Sequence, residues 1–175
     1  MKILFLPHGR RTTFFSSFLG YLHSHESWTF GVVCDGSARS TFSRYLSSPE
    51  ALFALPHFGK LADEGEPRQE VKKLIQDCEQ ACTTPINRLI LSSERDIGRA
   101  YGVPHYTWPL RKIGRQALKD NTFARRVISA QFAFMNIVIN EYSPDVILAG
   151  NLAASHHHAA AMIATLQGIP VLTGR

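Results

Sequence analysis

Four groups of residues carry the chemistry this chain could perform. His8 is followed by Gly9, Arg10 and Arg11; Asp35 stands apart; Glu94, Arg95 and Asp96 precede Arg99; and Asn151 leads into His156, His157 and His158. An imidazole titrates near neutrality, so His8 can take a proton from a hydroxyl that attacks an electrophilic carbon. Gly9 beside it would let a ligand approach the backbone. Asp35, Glu94 or Asp96 could orient the ring, and the sequence does not choose among them; Glu94 and Asp96 join His8 as catalytic candidates. The guanidiniums of Arg10, Arg11, Arg95 and Arg99 suit a phosphate or carboxylate, which they would hold through forked, charge-assisted hydrogen bonds. Arg95 and Arg99 are four apart and would share a helix face. The competing use of both is an ion network with Glu94 or Asp96.

The histidine triplet has the composition of a metal site without its spacing. Consecutive helical positions project about 100° apart, and Ala160 to Met162 stand where a ligand one turn on would be needed. No metal and no cofactor are expected. Ser155 is the expected helix cap, and imidazoles in the first turn, beside the positive end of the helix dipole, would stay neutral and able to bond phosphate or sugar hydroxyls. His156 and His157, with Asn151, are therefore substrate-binding candidates. Cys78 and Cys82 share a helix face without partners for zinc and read as free thiols. The first strand is not followed by a Gly-x-Gly-x-x-Gly turn, so Asp35 does not imply a dinucleotide, and no Walker-type loop is present.

These groups need elements to position them. Lys2 to Leu6 and Asp145 to Ala149 are short runs, apolar after one charged residue, and read as strands covered on both faces of a parallel sheet. Thr29 to Cys34 and Arg88 to Leu91 read as two more, and Gly168 to Leu172 closes a last βαβ unit. Helices are expected after Thr12 or Thr13, with Phe14, Phe15, Phe18, Leu19 and Leu22 on one side; over Arg68 to Cys82, with Val71, Leu74, Ile75 and Cys78 inward; and from about Gln116 to Glu141, with Phe123, Val127, Phe134 and Val138 inward. Residues 37 to 67, rich in Ser and punctuated by Pro and Gly, read as short helices and a surface loop. Strands alternating with helices predict one α/β domain over residues 1–175, a Rossmann-like doubly wound parallel sheet flanked by helices. Every polar group above would then follow a strand at one rim, where ligands bind in such sheets.

The chain has 175 residues and a formal charge of +5. Residues 88 to 126 hold nine basic and three acidic residues, a local surplus of six. Clustered positive charge suits an anionic partner: a phosphate, an acidic glycan or an anionic membrane surface. It also describes a solvated helix face. Nucleic acid is not expected, since no binding module accompanies the charge. Three cysteines without framework spacing point to a reducing cytoplasm, and no run approaches a membrane span.

Three segments in order, Lys2-Ile-Leu-Phe-Leu-Pro-His-Gly9, Leu89-Ile-Leu-Ser-Ser-Glu-Arg-Asp96 and Pro144-Asp-Val-Ile-Leu-Ala-Gly150 with its helix to Gly168-Ile-Pro-Val171, resemble the N-terminal domain of GT-B-type glycosyltransferases, among those of bacterial capsule and surface-polysaccharide assembly. The motifs are degenerate. The resemblance implies one half of a two-domain enzyme: this half mostly holds the glycan or lipid-linked acceptor, a second half the nucleotide-sugar donor, with the base after the first strand, at His8. It implies a C-terminal domain or partner subunit supplying that second half, and a cytoplasmic enzyme that could touch the inner membrane peripherally. Two rivals are a nucleotide-sugar epimerase of similar fold and a non-catalytic glycan- or glycolipid-binding docking module.

Overall fold

A computed structural model of the chain describes residues 1–7, 12–25, 27–44, 51–86, 88, 121–150, 152 and 154–173. Five strands, β1 (Lys2–Leu6), β2 (Thr29–Cys34), β3 (Leu52–Ala54), β4 (Val146–Ala149) and β5 (Val171–Thr173), form one sheet in the order β3-β2-β1-β4-β5, with every pairing parallel. The described helices are α1 (Thr12–His25), α2 (Arg39–Phe42) behind a 3-10 turn at Gly36–Ala38, α3 (Phe58–Asp63), α4 (Gln69–Cys82), α5 (Asn121–Tyr142) and α6 (Ser155–Leu166).

The period of two along each strand divides the core into two layers. Ile3, Phe5, Phe30, Val32, Cys34 and Val146 meet Leu19 of α1 and Phe42 of α2 on one face. Leu4, Leu6, Val33, Ile147 and Ala149 meet α3 to α6 on the other. Gly31 lies on this second face, and a Cβ there would stand 3.0 Å from the Tyr142 ring, so the end of α5 reaches the sheet only because β2 lacks a side chain at that point. At the same edge the Lys2 amide donates to the Asp145 carboxylate at 2.7 Å, and the Asp145 amide donates to the Lys2 carbonyl at 2.9 Å.

Most of the expected elements are found, and four readings change. The third strand of the sheet is Leu52–Ala54, inside the stretch read as helices and loop. It has three residues and little local pattern, and its register against Val32 to Cys34 defines it. Arg88, expected to open a strand, is instead helical, as is Ile86; the Arg88 amide donates to the Pro85 carbonyl at 2.9 Å, while Leu89 to Leu91 lie outside the described residues. In α1 the apolar residues do not share one side: Leu19 is buried and Phe15 half-buried, whereas Phe14 is 66% and Phe18 38% exposed. Ser155 is the first helical residue of α6 rather than its cap, which is Ala154. Helix α5 is described from Asn121; the expected start near Gln116 falls outside the described residues.

Among the described residues no helix is long and apolar enough to cross a membrane.

Candidate functional site

In an all-parallel sheet every strand ends at the same rim, and here the described chain leaves that rim at Pro7, Asp35, Leu55 and Gly150. β1 and β4 are neighbours, yet α1 after β1 packs on one face and α6 after β4 on the other. Neighbouring strands whose following helices part in this way mark the topological switch point of a doubly wound sheet, the place at which such folds bind ligands. The Gly150 amide donates to the Leu6 carbonyl at 3.1 Å, which carries the β1–β4 ladder to the rim at that point. A Cβ at Gly150 would lie 2.7 Å from the tip of the Phe15 ring, so glycine is what allows α1 to close so tightly on the end of β4.

The first turn of α6 follows β4. Its amides begin at this rim, where the helix dipole favours an anion or a neutral polar ligand. His156 is half-buried, its ring 6.4 Å from that of Phe58 at 27° and 4.3 Å from that of His157. Phe58 in turn meets Phe134 of α5 edge-on at 5.8 Å. His157 is 1% exposed and packs into the core, so His156 is the more accessible ring of the two. The helical period turns adjacent side chains about 100° apart, which separates them in this way.

His158 is half-buried, and burial holds its pKa below the usual 6.5, with the hydrogen bond to the Leu152 carbonyl working the other way. As pH falls the unfolded chain takes up this proton first, so the stability His158 contributes is present above about pH 6.5 and is lost as pH drops toward its lower folded value. Denaturant midpoints measured at pH 7.5 and 5.5 should therefore fall less in His158→Gln than in the parent chain; equal falls would show that His158 does not set this dependence.

One rim residue escaped the sequence reading. His57 follows β3 and caps α3, its Nδ1 accepting from the Lys60 amide at 3.2 Å. Its only signal was its place after an apolar triplet, and without β3 that place had no meaning. Of the other expected site residues, His8, Gly9, Arg10, Arg11, Glu94, Arg95, Asp96, Arg99 and Asn151 lie outside the described residues. Asp35 is exposed at the end of β2. Beside it burial, reinforced by Asp35 and opposed by Arg39, pushes the Cys34 thiol up to about 11, and burial pushes Cys78 up to about 12. Thiols held protonated are poor nucleophiles. A thiol reagent should thus label the half-buried Cys82 first in the native protein and reach Cys34 and Cys78 only on unfolding; fast native labelling at all three positions would contradict this packing.

Among the described residues no group of three His, Cys, Asp or Glu side chains could hold a metal ion. A cleft of about 800 Å³ lies between α3, α4 and α5, with Leu61, Val71, Leu74 and Ile137 in its lining and the Arg126–Glu66 ion pair, 2.8 Å, beside them. Its lining sets two guanidiniums, Arg68 and Arg126, against three carboxylates, Glu64, Glu66 and Glu70, so the switch point is the better candidate for an anionic ligand.

Sheet and helices define the class: an α/β domain with a doubly wound, all-parallel five-stranded sheet. No protein-family model, curated protein or solved structure matches this chain.

Proposed function

We propose that this chain is the acceptor-side half of a glycosyltransferase, taking a phosphate-bearing glycan or lipid-linked acceptor at the β1–β4 switch point. The observation that carries the reading is the parting of α1 and α6 to opposite faces after Pro7 and Gly150, with a 12-residue helix beginning five residues past Gly150. The residues next to Pro7 in sequence are His8, Gly9, Arg10 and Arg11, and the one next to Gly150 is Asn151. In the reaction the acceptor hydroxyl oxygen attacks the anomeric carbon of a nucleotide-sugar, His8 takes the hydroxyl proton, and the nucleoside diphosphate leaves with the bonding pair. Arg95 and Arg99 hold phosphate, with Glu94 or Asp96 orienting the base. A second α/β unit, on this polypeptide or another, presents the donor.

The test is a titration of the isotope-labelled chain with short-chain prenyl phosphates and phosphorylated oligosaccharides, followed by amide NMR. Binding should shift the amides of Gly150, Ser155 and His156 and spare those of Thr29 and Asp145 at the opposite edge. Shifts confined to that opposite edge, or saturation nowhere on the rim, would refute the proposal. Incubation with nucleotide-sugar and no acceptor separates the nearest rival, because an epimerised sugar product would assign the switch point to an epimerase.

A further inference from the structure

The cleft between α3, α4 and α5 has the size of a ligand site. Its volume of about 800 Å³ falls within the range of roughly 300–1,000 Å³ that holds small organic molecules. One wall is α5, whose Arg126, Ala130, Ala133 and Ile137 stand four, three and four apart and so share one face of the helix. The opposite wall is built from α3, the turn after it and the first half of α4, which bring Leu61, Val71 and Leu74. Ala130 and Ala133 end at Cβ, and their small size keeps the walls apart.

Two kinds of group in this cleft point to an occupant. Leu61 is 38% and Ile137 54% exposed, so each wall shows apolar surface. Ser129 is only 6% exposed and lines the same space, yet its hydroxyl has no hydrogen-bond partner among the described residues. Polar groups so deeply placed are normally hydrogen-bonded. Charge then selects among ligands. The lining sets three carboxylates, Glu64, Glu66 and Glu70, against two guanidiniums, Arg68 and Arg126. Glu66 and Arg126 satisfy each other at 2.8 Å. Arg68 offsets one of the two remaining carboxylates, which leaves one negative charge in excess, on a chain whose total is +5. The cleft thus reverses the sign of the molecule around it, and a field of that sign attracts cations.

We propose that this cleft binds a small amphipathic monocation, an alkyl or aryl body carrying a single ammonium group. The body covers Leu61, Ala133 and Ile137. An ammonium has three N–H donors and no acceptor, which matches a site whose free polar groups are the carboxylates of Glu64 and Glu70 and the hydroxyl of Ser129. A polyamine would bring several charges to a single excess carboxylate and no apolar surface to the walls. A fatty acid would suit the walls and meet the wrong charge. The site is separate from the switch point: Gly150, Ser155 and His156 do not line it.

Amide NMR of the isotope-labelled chain titrated with 4-phenylbutylamine should show saturable shifts at Glu66, Ser129 and Ile137, with a dissociation constant of about 1 mM for so small a ligand. 4-Phenylbutyrate, with the same body and the opposite charge, should bind at least about tenfold more weakly. Glu64→Gln combined with Glu70→Gln should weaken the amine by about fivefold, and Arg68→Gln should tighten it by about twofold. A merely structural disturbance would not produce opposite signs, and all three side chains are exposed, so these variants keep the fold. Ala133→Phe should fill the cleft and abolish binding with the far-ultraviolet spectrum unchanged. Absence of saturation at about ten times the expected constant, equal binding of amine and butyrate, or amine shifts indifferent to the charge substitutions would overturn the proposal. The amine should leave Gly150, Ser155 and His156 unmoved, whereas prenyl phosphates are read at those amides, so this site and the switch point fail separately.

Discussion

Phe5→Ala should cost about 3–5 kcal/mol of folding stability, the range for emptying a buried aromatic site. Phe5 is fully buried in β1, the central strand, with Phe15 at 5.0 Å and Phe42 at 6.3 Å between ring centroids. Those two rings come from α1 and α2, so a single side chain joins both helices of one layer to the sheet, and the cavity left by alanine could not be refilled without moving one of them. Domains of this size are stable by only about 5–15 kcal/mol. Urea unfolding is the measurement, with Leu172→Ala as the contrast: that side chain is 57% exposed and its loss should change stability by less than about 0.5 kcal/mol. A Phe5→Ala chain unfolding within about 1 kcal/mol of the parent would mean that this layer is not packed as described.

If the proposed function holds, His8→Ala in the complete two-domain enzyme is expected to lower turnover in sugar transfer by about 10²-fold or more, the usual contribution of a general base, with the unfolding midpoint unchanged. Because a base works deprotonated, the parent rate should rise with pH through the imidazole pKa, and the variant should lose that rise. Turnover that is unchanged, or that falls with the pH profile intact, would remove His8 from the proton transfer and leave the switch point as a binding site only.

Much of this architecture is legible in the sequence where local pattern and final environment agree. Ile3 to Leu6 and Phe30 to Cys34 carry no polar interruption because both faces of their strands are covered, and the charged neighbours of Ile75 and Cys78 leave α4 only one way to turn. Leu52 to Ala54 fails the same reading, since three residues carry no period and only pairing with Val32 to Cys34 makes them a strand. Phe14 and Phe18 mislead for the opposite reason. Their type says inside, and spacing alone cannot separate a core stripe from a second stripe on the same helix. At the rim, the local order of His156 and His157 is plain in the sequence, but which ring faces outward depends on where α6 begins, and a one-residue error in the cap suffices to confuse them.

The middle of the sheet is joined from the two ends of the chain. β1 takes one neighbour, β2, within the first 34 residues and the other, β4, only at residue 146. During synthesis the first strand must wait, one flank satisfied and the other bare, until more than a hundred further residues have left the ribosome. Such distant pairing slows folding and prolongs exposure of an adhesive apolar edge. The nascent protein should depend on chaperones most strongly in the interval before Val146 to Ala149 emerges.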